Sequence, residues 1–342
     1  KALDLFGTLL NDAKPDEAAL QNLISDILKS RKDAKLSKNA IISAMTQYGT
    51  YGPKSPFTNI LSEAELKGLN AAELVSYFKT IPLYQYRIQY YGPESPDNLV
   101  SILNTKLKND ELKTVPAPVD YKELPEAENT VYVVNYDMVQ AEIQMLSKGA
   151  DTYDKNLSPY VTIFNDYFGG GMSSVVFQDM RESKALAYSV YSVYRQPRQL
   201  DEPYSVYAYI GTQADKLNEA MDGMNVLLND MPENQSFFDA SKDAVIKQIQ
   251  SERITKNAIL DYYESSKRKG LDYDIREEIY NTVPGISMEQ LKEFHNKYIK
   301  GKKFNIMVLG DKDKIDKSVL EKFGTVKYLS LEDIFGYGEV SN

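Results

Sequence analysis

Residues 187–195 read as a strand whose side chains fall alternately on two faces. Tyr188, Val190, Ser192 and Tyr194 fall on one face, and Ser189, Tyr191 and Val193 on the other. That period of two is the mark of a half-buried strand. The run 204–210 reads as a second strand, and the proline and aspartate between the two suit a turn. Two more apolar runs, 130–136 and 141–146, read as strands joined by a short connection, and 303–309, closed by Gly310, as a last one. A period of 3.6 marks helices over 159–168, 173–184, 214–228, 236–268, 274–282 and 288–298. Strands, helices, strands, helices and a final strand, in that order, predict an α+β fold with a largely antiparallel sheet and helices packed on one face.

The chain repeats itself. Leu-Leu-Asn-Asp stands at 9–12 and again at 227–230, and Lys-Asn-Ala-Ile at 38–41 and again at 256–259, both 218 residues apart. Ile88 and Gly92 match Ile306 and Gly310 at the same shift, and in between a slip of one sets Leu74 against Leu291. A repeated unit of about 218 residues implies a duplication. Residues 1–114 read as the back half of a first unit, with helices and then a strand over 84–91. Val115-Pro116-Ala117-Pro118-Val119 reads as a linker because its prolines end regular structure. Residues 120–342 read as a complete second unit. The first unit is then truncated, its front of about a hundred residues lying before Lys1. The initial Lys1 in place of methionine, with no signal sequence, reads as a fragment or a processed product.

Composition removes whole classes of chemistry. No cysteine is present, which excludes thiol catalysis, disulfides and thiolate metal sites. One histidine, His295, cannot build a site that needs two. It lies in a helical stretch beside Phe294 and Tyr298 and reads as a surface or packing residue. The net charge of −9, without a basic cluster, argues against nucleic-acid binding. The apolar runs are too short for a transmembrane helix. The compartment stays open, the absent cysteine favouring periplasm slightly over cytoplasm.

The most unusual segment is Phe168-Gly169-Gly170-Gly171-Met172-Ser173-Ser174, which ends one helix and starts another. Gly169 is expected to close the first helix in a left-handed conformation, and Ser173 or Ser174 to cap the next. A tight helix–helix corner accounts for it. A phosphate cradle does not, since no strand precedes the glycines and no Lys-Ser/Thr follows in place.

The segment continues with Phe177-Gln178, Arg181-Glu182 and Leu186-Ala187-Tyr188-Ser189-Val190. In this order the motifs resemble those of the pitrilysin/insulinase family of zinc metallopeptidases, which includes the mitochondrial processing peptidases. Ala185 stands where that family usually has glycine. The resemblance implies halves each built of two duplicated α+β units. It also implies an active half carrying His-x-x-Glu-His, an inverted zinc motif with a downstream glutamate ligand. That motif is absent here, and by rough alignment Ala18, beside Glu17, falls at the third ligand position. The resemblance therefore points to the zinc-less half, with no catalytic residue, metal ligand or cofactor in this chain and zinc in the partner half. The partner would be a zinc-bearing half of the same polypeptide or a separate subunit, and the substrate a peptide or unfolded protein.

In the family, the zinc-less half places an arginine and a tyrosine at the spacing of Arg181 and Tyr188 to reach a peptide across an enclosed chamber, and its glycine loop, here Gly169, Gly170 and Gly171, lines that chamber. The residues alone leave a plainer reading open: Arg181 pairs with Asp179 or Glu182, and Tyr188 packs as a strand residue. For Tyr191, Tyr194, Tyr204, Tyr207 and Tyr209 the first expectation is cross-strand packing. A scaffold of this fold without proteolytic role, and a metalloenzyme whose zinc motif lies upstream, stand as alternatives.

Overall fold

The computed structural model describes residues 2–107, 111–124 and 126–337. Its backbone divides into two units, one of residues 1–41, 54–122 and 335–342 and the other of 42–53 and 123–334.

The first unit is helical: α1 (Ala2–Asp12), α2 (Glu17–Ala34), the first turn of α3 (Lys38–Tyr51), α4 (Glu63–Lys67), α5 (Ala71–Phe78) and α6 (Pro96–Lys106). Four of these starts are written in the sequence. Asp16 accepts from Ala19 N, Asn70 from Ala72 N, Ser95 from Asn98 N, and Ser62 forms a capping box with Glu65. Leu20, Ile24, Leu66 and Ala71 form one buried cluster in it. The strand expected over 84–91 does not form. Its ladder contact is a single bridge, Tyr84 to Lys113. A strand exists only by pairing, and the described residues of this unit contain no second strand to pair with.

The second unit carries a six-stranded sheet. In chain order come β1 (Thr130–Asn135), β2 (Gln140–Thr152), α7 (Ser158–Phe168), α8 (Val175–Phe177) with a π-helical continuation (Gln178–Ser183), β3 (Ser189–Arg195) and β4 (Pro203–Gln213). Then follow α9 (Leu217–Asn229), α10 (Gln235–Ser251), α11 (Ile259–Arg268), α12 (Ile275–Thr282), α13 (Met288–Tyr298), β5 (Asn305–Gly310), α14 (Lys317–Glu321) and β6 (Thr325–Leu329). The helix expected over 236–268 is therefore two. The backbone turns extended at Glu252, whose carboxylate is held by Tyr262 Oη and by Arg276.

The strand order is β3-β4-β2-β5-β1-β6. The sheet is mixed: β3·β4, β4·β2 and β2·β5 are antiparallel, while β5·β1 and β1·β6 are parallel. One face packs on α7, α9, α10 and α13 through Ile143, Val190, Tyr194, Val206, Ile210 and Val308. The central strands β1 and β5 are buried on both faces, so the second face needs cover as well. Residues 42–51 of α3 supply it. Tyr48 meets Tyr132 edge-on at 5.5 Å, Thr46 Oγ1 donates to Gln144 Oε1 at 2.6 Å, and Asn305 Nδ2 donates to Gly49 O at 2.9 Å.

His295 is a packing residue, fully enclosed in α13 with its ring 6.2 Å from Phe164 and 5.9 Å from Phe168. Burial holds its pKa below the usual histidine value, against an opposing hydrogen bond with the Leu228 backbone. A depressed base refuses in the folded state a proton that the unfolded chain accepts. Stability is therefore fully present above pH ~6.5 and falls as pH drops below it, by up to about 1.4 kcal/mol per pH unit. Urea unfolding between pH 7.5 and 5.5 reads this directly, because no other histidine titrates there. His295→Leu should flatten the profile. An unchanged slope in that variant would reject the assignment.

Candidate functional site

The site is built where α7 ends against the edge strand β3. Asn165 Nδ2 donates to Tyr194 O at 3.1 Å, and its Oδ1 accepts from Tyr194 N at 2.8 Å. One turn on, Gly169 O accepts from Ser192 N at 3.2 Å. The end of α7 thus satisfies backbone groups along the outer edge of β3 and blunts it against further pairing. Gly169 has to be glycine here, because a Cβ would fall on the Ser192 carbonyl oxygen and 2.7 Å from its nitrogen. Its φ of −152° is not left-handed, so close approach, not helix termination, selects the residue. A Cβ on Gly170 would lie 2.6 Å from Asn165 O, whereas nothing lies within 4 Å of one on Gly171. Ser174 closes the corner as expected, donating to Gly171 O at 2.6 Å and accepting from Phe177 N.

From Ser174 the chain makes one α-turn and then a π-helical turn, Gln178–Ser183. Wide turns of this kind recur at functional sites because they push a side chain off the regular helical position. Arg181 rides on this turn, about half-exposed. Its guanidinium lies 4.8 Å above the Phe177 ring and its Nε 3.7 Å from Glu182 Oε1. Asp179 is engaged instead by Lys184 at 2.7 Å.

Ala185 joins the turn to β3 with φ +49°, a left-handed conformation that costs a residue with a Cβ about 1 kcal/mol. Lys216 Nζ donates to its carbonyl at 2.9 Å and holds it there. Ala185→Gly should raise the unfolding free energy by about 0.5–1 kcal/mol in urea denaturation. A loss of stability would show that the methyl group makes a contact worth more than the strain.

Tyr188 does not pack as a strand residue. It stands about half-exposed, and Gln213 Nε2 donates to its Oη. Arg181, Glu182, Leu186, Tyr188, Gln213 and Lys216 line one cleft of about 370 Å³. The structure therefore brings Arg181 and Tyr188 to one surface, with the glycine corner at the other end of the same turn. Gln213 and Lys216 escaped the sequence reading. They lie 25 residues or more along the chain from their partners, and only the β3·β4 pairing brings them near.

The five tyrosines divide between the two faces. Tyr194 and Tyr204 stack at 5.2 Å on the helix-covered face. Tyr191 lies 5.9 Å from Tyr207 and 5.4 Å from Tyr209 on the other, with Arg195 3.5 Å above Tyr207. Burial pushes the hydroxyls of Tyr207 and Tyr209 well above the usual tyrosine range. These are the cross-strand contacts expected of them.

Among the described residues, no three histidine, cysteine, aspartate or glutamate side chains come together to hold a metal ion, and no helix is long and apolar enough to cross a membrane. His295, enclosed by phenylalanines, offers no zinc ligand.

Residues 87–243 match the family model of the peptidase M16 inactive domain. The uncharacterized zinc protease YmxG of Bacillus subtilis is 26% identical over 230 residues, 64% of this chain and 52% of that protein. The chain thus spans about half the length of that curated relative. Among solved structures, the fold is similar to a peptidase M16 inactive domain from Pseudomonas fluorescens, with TM-score 0.65 at 17% identity over 91% of this chain and 74% of that one. A protease from Helicobacter pylori matches with TM-score 0.64 at 15% identity, over 90% and 76%.

Proposed function

The chain carries a peptidase M16 inactive domain of a zinc protease family, and from that premise we propose that it forms the wall of a peptide-binding chamber facing a zinc-bearing half. That half belongs to the same polypeptide or to a separate subunit. The observation that carries the reading is the shared cleft of Arg181 and Tyr188, both solvent-facing and both held from behind. Phe177 supports the Arg181 guanidinium, which keeps its outward N–H donors for peptide carbonyls. Gln213 occupies an acceptor position of the Tyr188 hydroxyl, leaving that group's own proton to donate. A donor so placed stabilises an oxygen on which negative charge develops as a peptide bond is attacked.

Gly171, with open space around it, is the glycine suited to touch a peptide backbone. Gly169 and Gly170 hold the corner in place. The substrate is a peptide or unfolded protein, and this chain supplies contacts but no metal. The test is reconstitution. This chain, a half bearing His-x-x-Glu-His from the same organism, and their mixture are each offered a fluorogenic unstructured peptide. Cleavage is expected from the mixture and from neither component. Cleavage by this chain alone, stopped by a chelator, would overturn the proposal.

A further inference from the structure

Of the described residues that line the cleft, two are cations, Arg181 and Lys216, and one is an acid, Glu182. Glu182 leans to Arg181, its Oε1 3.7 Å from Nε, and both side chains are about half-exposed. An ion pair that long and that exposed is weak, so it leaves most of the Arg181 charge to the cleft. Lys216 has no such partner. Its Nζ donates to the Ala185 carbonyl at 2.9 Å, and no carboxylate among the described residues lies within 4 Å of it. One neutral oxygen engages one of the three ammonium donors.

Nothing in the fold accounts for a full charge at this position. Lys216 directly precedes α9, and the N-terminal end of a helix already carries partial positive charge, so a cation there has the wrong sign. Holding the Ala185 carbonyl needs a donor, not a charge. A half-buried ammonium with no counter-ion, opening on a cleft that it shares with Arg181, is accounted for by an anion from outside the chain.

We propose that Lys216 binds a carboxylate of the peptide substrate, an acidic side chain or the peptide's C-terminus, and so makes this chain select acidic peptides. This rests on the chamber wall proposed above. There Arg181 and Tyr188 hold the peptide main chain, and Lys216, tied to Ala185 between them, reads the charge beside it.

Cleavage by the reconstituted halves tests this. Fluorogenic peptides differ in one residue, glutamate against glutamine, moved position by position along a single sequence. A second pair differs only in a C-terminal carboxylate against an amide. The chain carries Ala185→Gly throughout, so that the left-handed residue no longer depends on the lysine. At one position, or at the C-terminus, the acidic peptide should have kcat/KM at least about tenfold above its neutral analogue. A response in the glutamate series identifies a side-chain carboxylate as the source, and a response in the second pair a free terminus. Adding Lys216→Met should bring the ratio below about twofold, whereas Lys216→Arg, which keeps the charge, should hold it above about fivefold. A lysine with only a structural role would not separate the two peptides of a pair. The proposal is overturned if Arg181→Ala slows cleavage and yet no acidic peptide is preferred. It is also overturned if the preference survives Lys216→Met, or if Lys216→Arg loses it as fully as Lys216→Met does. A mixture that cleaves nothing, or that Arg181→Ala and Tyr188→Phe leave unchanged, defeats the chamber wall itself and this proposal with it.

Discussion

Replacing Lys148 by alanine is expected to destabilise the second unit by about 3 kcal/mol. Lys148 sits on β2, on the face away from α7, with its side chain 10% exposed. Nζ donates to Leu124 O at 2.6 Å and lies 3.3 Å from Glu123 Oε2 and 3.4 Å from Glu126 Oε1. Burial already raises the pKa of Glu126, and the lysine beside it is what opposes the rise. Without the ammonium, the Glu126 carboxylate is a buried charge with no cation beside it and the Leu124 carbonyl loses a donor, which is the costly way to break a buried pair. Urea unfolding followed through the second unit's transition measures the loss. Adding Glu126→Gln to Lys148→Ala should recover at least half of it, because the stranded charge is then gone. If the double variant is as unstable as the single, packing of the lysine stem is the cause and the charge argument fails.

Gly169→Ala should cost a similar amount, about 3 kcal/mol, for a different reason. The added Cβ meets backbone, the Ser192 carbonyl oxygen and nitrogen, which cannot rotate aside. Either α7 or β3 has to shift, and overpacking of this kind costs about 1–3 kcal/mol. The shift also pulls Asn165 from Tyr194 and Gly169 O from Ser192 N, which exposes the edge of β3. Lower stability should therefore come with concentration-dependent self-association in sedimentation velocity. Gly171→Ala, with open space at its Cβ, is the control and should change stability by less than about 0.5 kcal/mol. Equal losses for the two variants would contradict the close-approach account.

Much of the second unit was legible because its patterns are strong. The segment 187–195 gave β3 and the residues that share each of its faces, and the cap at Ser174 is written in a residue type that accepts from helix N–H groups. Parallel pairing of β1 with β5 and β6 was not legible, because alternation tells which residues share a face and not which strand lies beside which. The break at Glu252 was hidden for a similar reason: its carboxylate is held by Tyr262 and Arg276, which only chain folding brings to it.

The strand over 84–91 shows the opposite error. The local pattern is a strand's, and the described residues of that unit hold no partner strand for it. At the site, the resemblance pointed to Arg181 and Tyr188, and the structure sets both in one cleft. The supporting Phe177 was in view in the motif, whereas Gln213 came only with the register of β3 on β4.

The most direct measurement is peptide cleavage by this chain reconstituted with the zinc-bearing half, comparing Arg181→Ala and Tyr188→Phe with the unaltered protein. Each substitution removes a donor without touching the partner's metal. The account predicts that kcat/KM falls at least tenfold for each, on the order of 1.4 kcal/mol of transition-state stabilisation, with assembly of the two halves unchanged by size-exclusion chromatography. If the halves assemble, the mixture cleaves, and both variants match the unaltered protein, then Arg181 and Tyr188 do not reach the peptide and the chain is a structural wall.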